Sequence, residues 1–170
     1  MIAYLTIDDC KTQLFPYIQK RMATDEPAPA YGIEGSGLRK LESIFALMER
    51  DEYEGLLGKA AYLFCSIIDN HPFSNGNKRL AVTLLIAFLL MNRCKIHGPN
   101  MATLRKEMKR FFPHVRWQPI RAFSLPHEHF FYHLALIIAD RSQKGHMTFH
   151  QEQNAVRSLL VFIAMQSDMR

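Results

Sequence analysis

Paired cysteines, membrane-length apolar runs and strand patterns are all scarce in this chain. Its 170 residues include three cysteines, Cys10, Cys65 and Cys94. The number is odd and no two form a C-x-x-C pair, which argues against a disulfide framework or a zinc ribbon and for reduced thiols in a cytosolic setting. The most apolar run, Leu80 to Met91, is broken only by Thr83. It falls short of the about 20 residues that span a bilayer and reads as a buried helix. Met1-Ile2-Ala3-Tyr4-Leu5 lacks the charged start and small-residue cleavage site of a signal peptide. The expectation is a soluble, cytoplasmic protein with no membrane partner. Internal repeats and low-complexity tracts are also missing.

What remains is ordinary globular composition: 48% apolar and 22% charged residues, enough to bury a core without staples. The length predicts one domain over 1–170. The net charge of +5 fits a phosphate-bearing ligand or an acidic partner without requiring either.

Helical signals recur along the chain. Thr6-Ile7-Asp8-Asp9 looks like a capping box. Pro16 then kinks that first helix or starts a second one running to about Met22. A loop rich in proline and glycine follows, and Tyr31 to Gly37 is read either as part of it or as a short β-hairpin flap. The periodicity predicts helices over Leu38–Glu49, Tyr53–Asn70, Asn77–Asn92, Ala102–Phe112, from Pro126 to about Asp140, and from Thr148 to about Met165. Lys95 to Pro99 reads as a turn and 113–125 as irregular. The fold class is all-α, a bundle in which two strongly apolar helices flank one polar loop.

That loop is His71-Pro72-Phe73-Ser74-Asn75-Gly76-Asn77-Lys78-Arg79. Residues 75–78 open a helix, so several backbone N–H groups have no intrahelical partner and form an anion site. Gly76 lets a phosphate approach the backbone. Lys78 and Arg79 add positive charge, and Phe73 anchors the loop by burial. His71 ends the preceding helix, where a neutral imidazole can accept a proton. Each member alone has a plainer reading: a histidine as a helix cap, Asn77 as a helix start, Lys-Arg as a solvated pair. The fixed order is what carries specificity.

The segment resembles the Fic/Doc motif, which runs His-x-Phe-x-Asp/Glu-Gly-Asn-Gly-Arg-x-x-Arg in its Fic branch. His71, Phe73, Gly76, Asn77 and Arg79 match it. Lys78 stands at the second glycine and Val82 at the final arginine. Both changes are similar to the Doc branch, His-x-Phe-x-Asp-Ala/Gly-Asn-Lys-Arg, and Gly37-Leu38-x-x-Leu41-Glu42-Ser43 resembles a stretch upstream of that motif. The likeness covers roughly 30–95.

The resemblance implies a Fic/Doc-type helical bundle and a transferase using ATP and Mg²⁺. His71 would deprotonate the target hydroxyl. Asn75, Gly76, Asn77, Lys78 and Arg79 would bind nucleotide phosphate. The family's acidic residue at position 75 holds Mg²⁺; Asn75 can ligate it only through a neutral amide oxygen, hence more weakly. Lysine at 78 favours a Doc-like toxin that moves the γ-phosphate of ATP to a Ser/Thr hydroxyl of a protein, elongation factor Tu being the branch's known target, to arrest translation. The alternatives are Fic-type AMP transfer and a non-catalytic binding module. A separate antitoxin protein is implied. The nearest match to the self-inhibiting helix of Fic proteins, Ser/Thr-x-x-x-Glu-Gly/Asn, is Thr148 to Gln153. Glu152 falls at the glutamate, but Val82 replaces its arginine partner, so an unpaired Glu152 and control in trans are expected.

Two further stretches stand out. His129 and His133 share a helix face beside His127 and Glu128, with spacing that suits Zn²⁺ or Ni²⁺ but without the His-Glu-x-x-His order of a metalloprotease. A basic segment at about 100–121 holds Arg105, Lys106, Lys109, Arg110, Arg116 and Arg121 among Phe111, Phe112 and Trp117. An amphipathic helix with a solvated basic face outweighs a nucleic-acid patch here, and a docking surface for an acidic target or antitoxin is a third reading.

Overall fold

The computed structural model describes residues 1–23, 27–96, 100–118, 123 and 125–168. Its elements are α1 (Ile7–Asp9), a π turn (Cys10–Leu14), α2 (Phe15–Arg21), a 3₁₀ turn (Tyr31–Ile33), α3 (Gly35–Met48), α4 (Gly55–Asn70), α5 (Asn77–Met91), α6 (Met101–Phe111), α7 (Pro126–Ala139), α8 (Arg141–Lys144) and α9 (Phe149–Asp168). The fold is all-α, with no strand among the described residues. No described helix is long and apolar enough to cross a membrane.

The chain opens on the expected capping box: Thr6 accepts from the Asp9 N–H while the Asp9 carboxylate accepts from the Thr6 N–H. Pro16 starts a second helix, as one of the two readings expected: it sits in the first turn of α2, which ends at Arg21 with Met22 as its C-cap. The proline lacks an N–H, and the preceding turn widens to a π turn in which the Phe15 N–H reaches the Cys10 carbonyl.

The β-hairpin reading of 31–37 is corrected. Tyr31 is fully buried and heads a 3₁₀ turn, and α3 already begins at Gly35. Buried aromatic packing at Tyr31 ties this segment to the interior, so no edge is left to pair. The loop around Pro99 and part of 113–125, including Arg121, lie outside the described residues.

Helix α4 is the central element, with every residue from Lys59 to Ile68 buried. It packs against α5, α9, α3 and α7. Lys59 is a cation in this core, and its Nζ donates to the carbonyls of Met48, Glu49 and Arg50 at 3.0, 3.0 and 2.8 Å. Three acceptors at the end of α3 satisfy the ammonium's three donors and cap that helix. The basic segment packs back on the body through α6, whose Leu104 and Met108 face inward, with Phe112 buried just beyond.

Candidate active site

Helix α4 stops at Asn70 because Pro72 follows one residue later. His71 adopts φ 42° and ψ 65°, a left-handed conformation rather than the extended one usual before proline. A non-glycine residue held there is strained, and such strain gathers at functional sites. The turn throws the His71 side chain out of the helix line, where it is exposed.

The rest of the loop is fastened from below. Phe73 is buried and meets Tyr31 edge-on at 5.0 Å and Phe15 edge-on at 5.9 Å, while Phe15 and Tyr31 stack at 4.9 Å. Burying the ring contributes about 1.5–3 kcal/mol, and each aromatic pair about 0.5–1.5 kcal/mol more. Asn77 is buried at the first position of α5. Its Oδ1 accepts from the Phe73 N–H at 3.0 Å and its Nδ2 donates to the Phe73 carbonyl at 2.8 Å. The amide therefore closes the loop on itself and does not cap the helix.

Gly76 has φ 72°, which favours glycine, and a Cβ there would lie 2.3 Å from the Tyr31 hydroxyl and 2.9 Å from Pro29. That hydroxyl donates to the Gly76 carbonyl at 2.8 Å. The space left by the missing side chain is filled by this chain's own Tyr31 and Pro29, so glycine is required here first by the fold. Asn75 is exposed and its Oδ1 accepts from the Gly76 N–H at 2.6 Å. From above, Glu34 at the start of α3 accepts from the Ser74 hydroxyl at 2.6 Å and from the Ser74 N–H at 3.0 Å.

The two basic residues separate. Arg79 is buried, and its guanidinium donates to the carbonyls of Met22 at 3.0 Å and Pro27 at 3.1 Å. It braces the segment after α2, and its fork points away from the outer face of the loop. Lys78 is half-buried, with no ion pair among the described residues. The structure thus places His71, Asn75 and Gly76 on one short loop that leads into Asn77 and Lys78 at the start of α5, and sends the Arg79 charge inward. The N–H groups of Asn77 and Lys78, in the first turn of the 15-residue α5, have no carbonyl four residues back within the helix and leave its positive end open.

Sequence reasoning missed Glu34, Tyr31, Phe15 and Pro29, which lie 40 or more residues before the loop atoms they touch. No local pattern marks them. For Mg²⁺, the oxygens at hand are the Asn75 amide oxygen and the Glu34 carboxylate that holds Ser74. Two side chains of this kind fit an ion held chiefly by nucleotide phosphates, not a protein-only cage. No group of three or more His, Cys, Asp or Glu among the described residues could hold a metal by itself.

That absence includes the histidine pair. His129 and His133 lie tilted against each other at 4.9 Å, His133 lies 4.6 Å from Trp117, and Arg105 covers Trp117 at 4.9 Å. Burial, with His129 and Arg105 nearby, pushes His133 down to about 4. The pair packs as tilted rings against Trp117, which Arg105 covers. Glu152 departs from expectation too. It is buried and pairs with Lys144, which also lies 3.7 Å from Asp69. The expectation that it stands unpaired is corrected: the cation comes from α8, a short helix the sequence did not reveal.

Residues 11–89 match the model of the Fic/DOC family, whose members transfer nucleotidyl or phosphate groups to proteins. The matched span runs from the π turn nearly to the end of α5 and contains the entire loop. No curated protein and no solved structure matches the chain.

Proposed function

We infer that this protein transfers a phosphate-containing group from a nucleotide to a protein hydroxyl. The carrying observation is an exposed, backbone-strained His71 set beside the open first turn of α5, inside the span that matches the Fic/DOC model. The N–H groups of Asn77 and Lys78 and the Lys78 ammonium receive phosphate oxygens. Glu34 and Asn75 offer oxygens to a Mg²⁺ carried by the nucleotide. His71 takes the proton of the target hydroxyl as its oxygen bonds to phosphorus.

Lys78 favours γ-phosphate transfer from ATP to Ser or Thr, as in the Doc branch: the new O–P bond forms as the bond to ADP breaks, and ADP carries away the charge. The reading is a cytoplasmic toxin acting on a protein such as elongation factor Tu and restrained by a separate antitoxin. AMP transfer is the second reading, kept by the five motif residues shared with the Fic branch.

Incubating cell lysate with the protein and ATP labelled separately at the α- and γ-phosphates tests this. Label from γ alone supports kinase chemistry, label from α supports AMP transfer, and label from neither overturns the enzyme. His71→Ala should lower transfer by about 10²–10⁴-fold while leaving the helical signal intact, because the side chain is exposed.

A further inference from the structure

A cavity of 230 Å³ lies away from the loop, between α2, α5 and the start of α7. Leu14, Ile86, Leu90 and Leu125 supply apolar wall, and Leu90, Leu125 and Tyr17 remain exposed at its mouth. One acidic group lines it, with the imidazole of His127 also in the wall. Glu128 is only 6% exposed, and the Tyr17 hydroxyl donates to its Oε1. Burial and this carboxylate push the Tyr17 phenol up to about 12, so the hydroxyl keeps its proton and can satisfy only one carboxylate oxygen.

A buried carboxylate calls for a cation or several donors. Glu128 stands in the first turn of α7, whose dipole favours a negative charge there. Among the described residues, no lysine or arginine forms an ion pair with it. Arg21 acts on Tyr17 at long range without pairing to Glu128. The cavity is smaller than the about 300–1,000 Å³ of sites for drug-sized ligands. A short hydrocarbon stem with one charged head matches its size, its apolar wall and its single anion.

We propose that this cavity binds a small alkyl cation, an ammonium or guanidinium on a short unbranched stem, with the stem against Leu14, Ile86 and Leu90 and the head on Glu128. The chemistry is shared by free alkylamines and by a lysine or arginine side chain of another protein. The site is independent of transfer at His71.

The test is an NMR titration of the full chain with n-pentylamine and with 1-pentanol, its neutral counterpart. Pentylammonium should bind with shifts at the cavity residues, and more tightly than pentanol. Glu128→Gln keeps an acceptor for Tyr17 and should weaken the amine by about tenfold or more while leaving pentanol unchanged. Ala87→Leu, which fills the cavity from α5, should abolish both. A lysine-containing capped peptide that outcompetes pentylamine identifies a protein side chain as the source; the reverse order identifies a free amine, and both support the site. Equal binding of amine and alcohol, undiminished amine binding in a folded Glu128→Gln, or no binding at all would overturn it and leave Tyr17–Glu128 a structural tie.

Discussion

Gly37 sits in the first turn of α3 with its α-carbon against the ring of Phe73, so close that a Cβ would fall 2.4 Å from Cδ1. The contact is the point at which α3 rests on the 71–79 loop. Glycine inside a helix costs up to about 1 kcal/mol relative to alanine, so Gly37→Ala would stabilise an isolated α3. Here the sign should invert. The added methyl must displace the Phe73 ring from the Tyr31–Phe15 cluster, at about 1–3 kcal/mol. A denaturant melt showing equal or greater stability would refute the contact.

Asn77→Asp tests the loop clamp. Aspartate keeps the acceptor for the Phe73 N–H but loses the donor to the Phe73 carbonyl. The result places a buried carboxylate beside a carbonyl and frees the end of the loop. Transfer should fall by at least about tenfold with His71 still present, and amide exchange should speed up at 73–77. Unchanged exchange would mean that the amide does not hold the loop.

Lys78→Gly should cut γ-phosphate transfer and spare the fold, since Lys78 is half-buried without an ion pair among the described residues. The readout is the ratio of γ to α label on the target. A ratio unaltered by the substitution removes Lys78 as the determinant.

Glu152 governs a pH dependence. Burial first, and Asp69 next, push its carboxyl up to about 7 from an unfolded value of 4.5, despite Lys144. The folded state therefore holds a proton that the unfolded state gives up between these values. Stability is greatest below pH 4.5 as far as this group is concerned, and falls as pH rises toward 7. In Glu152→Gln that slope should flatten; melting temperatures across the interval, with the same slope in both proteins, would contradict it.

Much of this architecture is legible along the chain. Leu56, Ala60, Leu63, Phe64, Ile67 and Ile68 mark α4 by their spacing, and the capping boxes at Thr6 and Thr148 are formed as the sequence predicts. The His71–Arg79 loop falls between two core helices as expected. What periodicity does not carry is the direction of a side chain. Arg79 looks like a surface cation beside Lys78, yet a helix turns 100° per residue, and adjacent residues face different ways. Arg79 meets carbonyls more than fifty residues earlier in the chain, as two bonds to Met22 and Pro27 record. Tyr31 to Gly37 misled for a related reason: turn residues announce a bend without saying which core the tyrosine enters.

The three bonds from Lys59 to the end of α3 have a mechanical meaning. They make that end a fulcrum on the most deeply packed helix, while the opposite end bears Glu34. Over 14 residues, about 21 Å, a tilt of about 5° moves the far tip by roughly 2 Å. That stroke is enough to break both Glu34–Ser74 hydrogen bonds without disturbing the pivot. Helix α3 thus links the deeply packed α4, at Lys59, to the 71–79 loop, at Ser74.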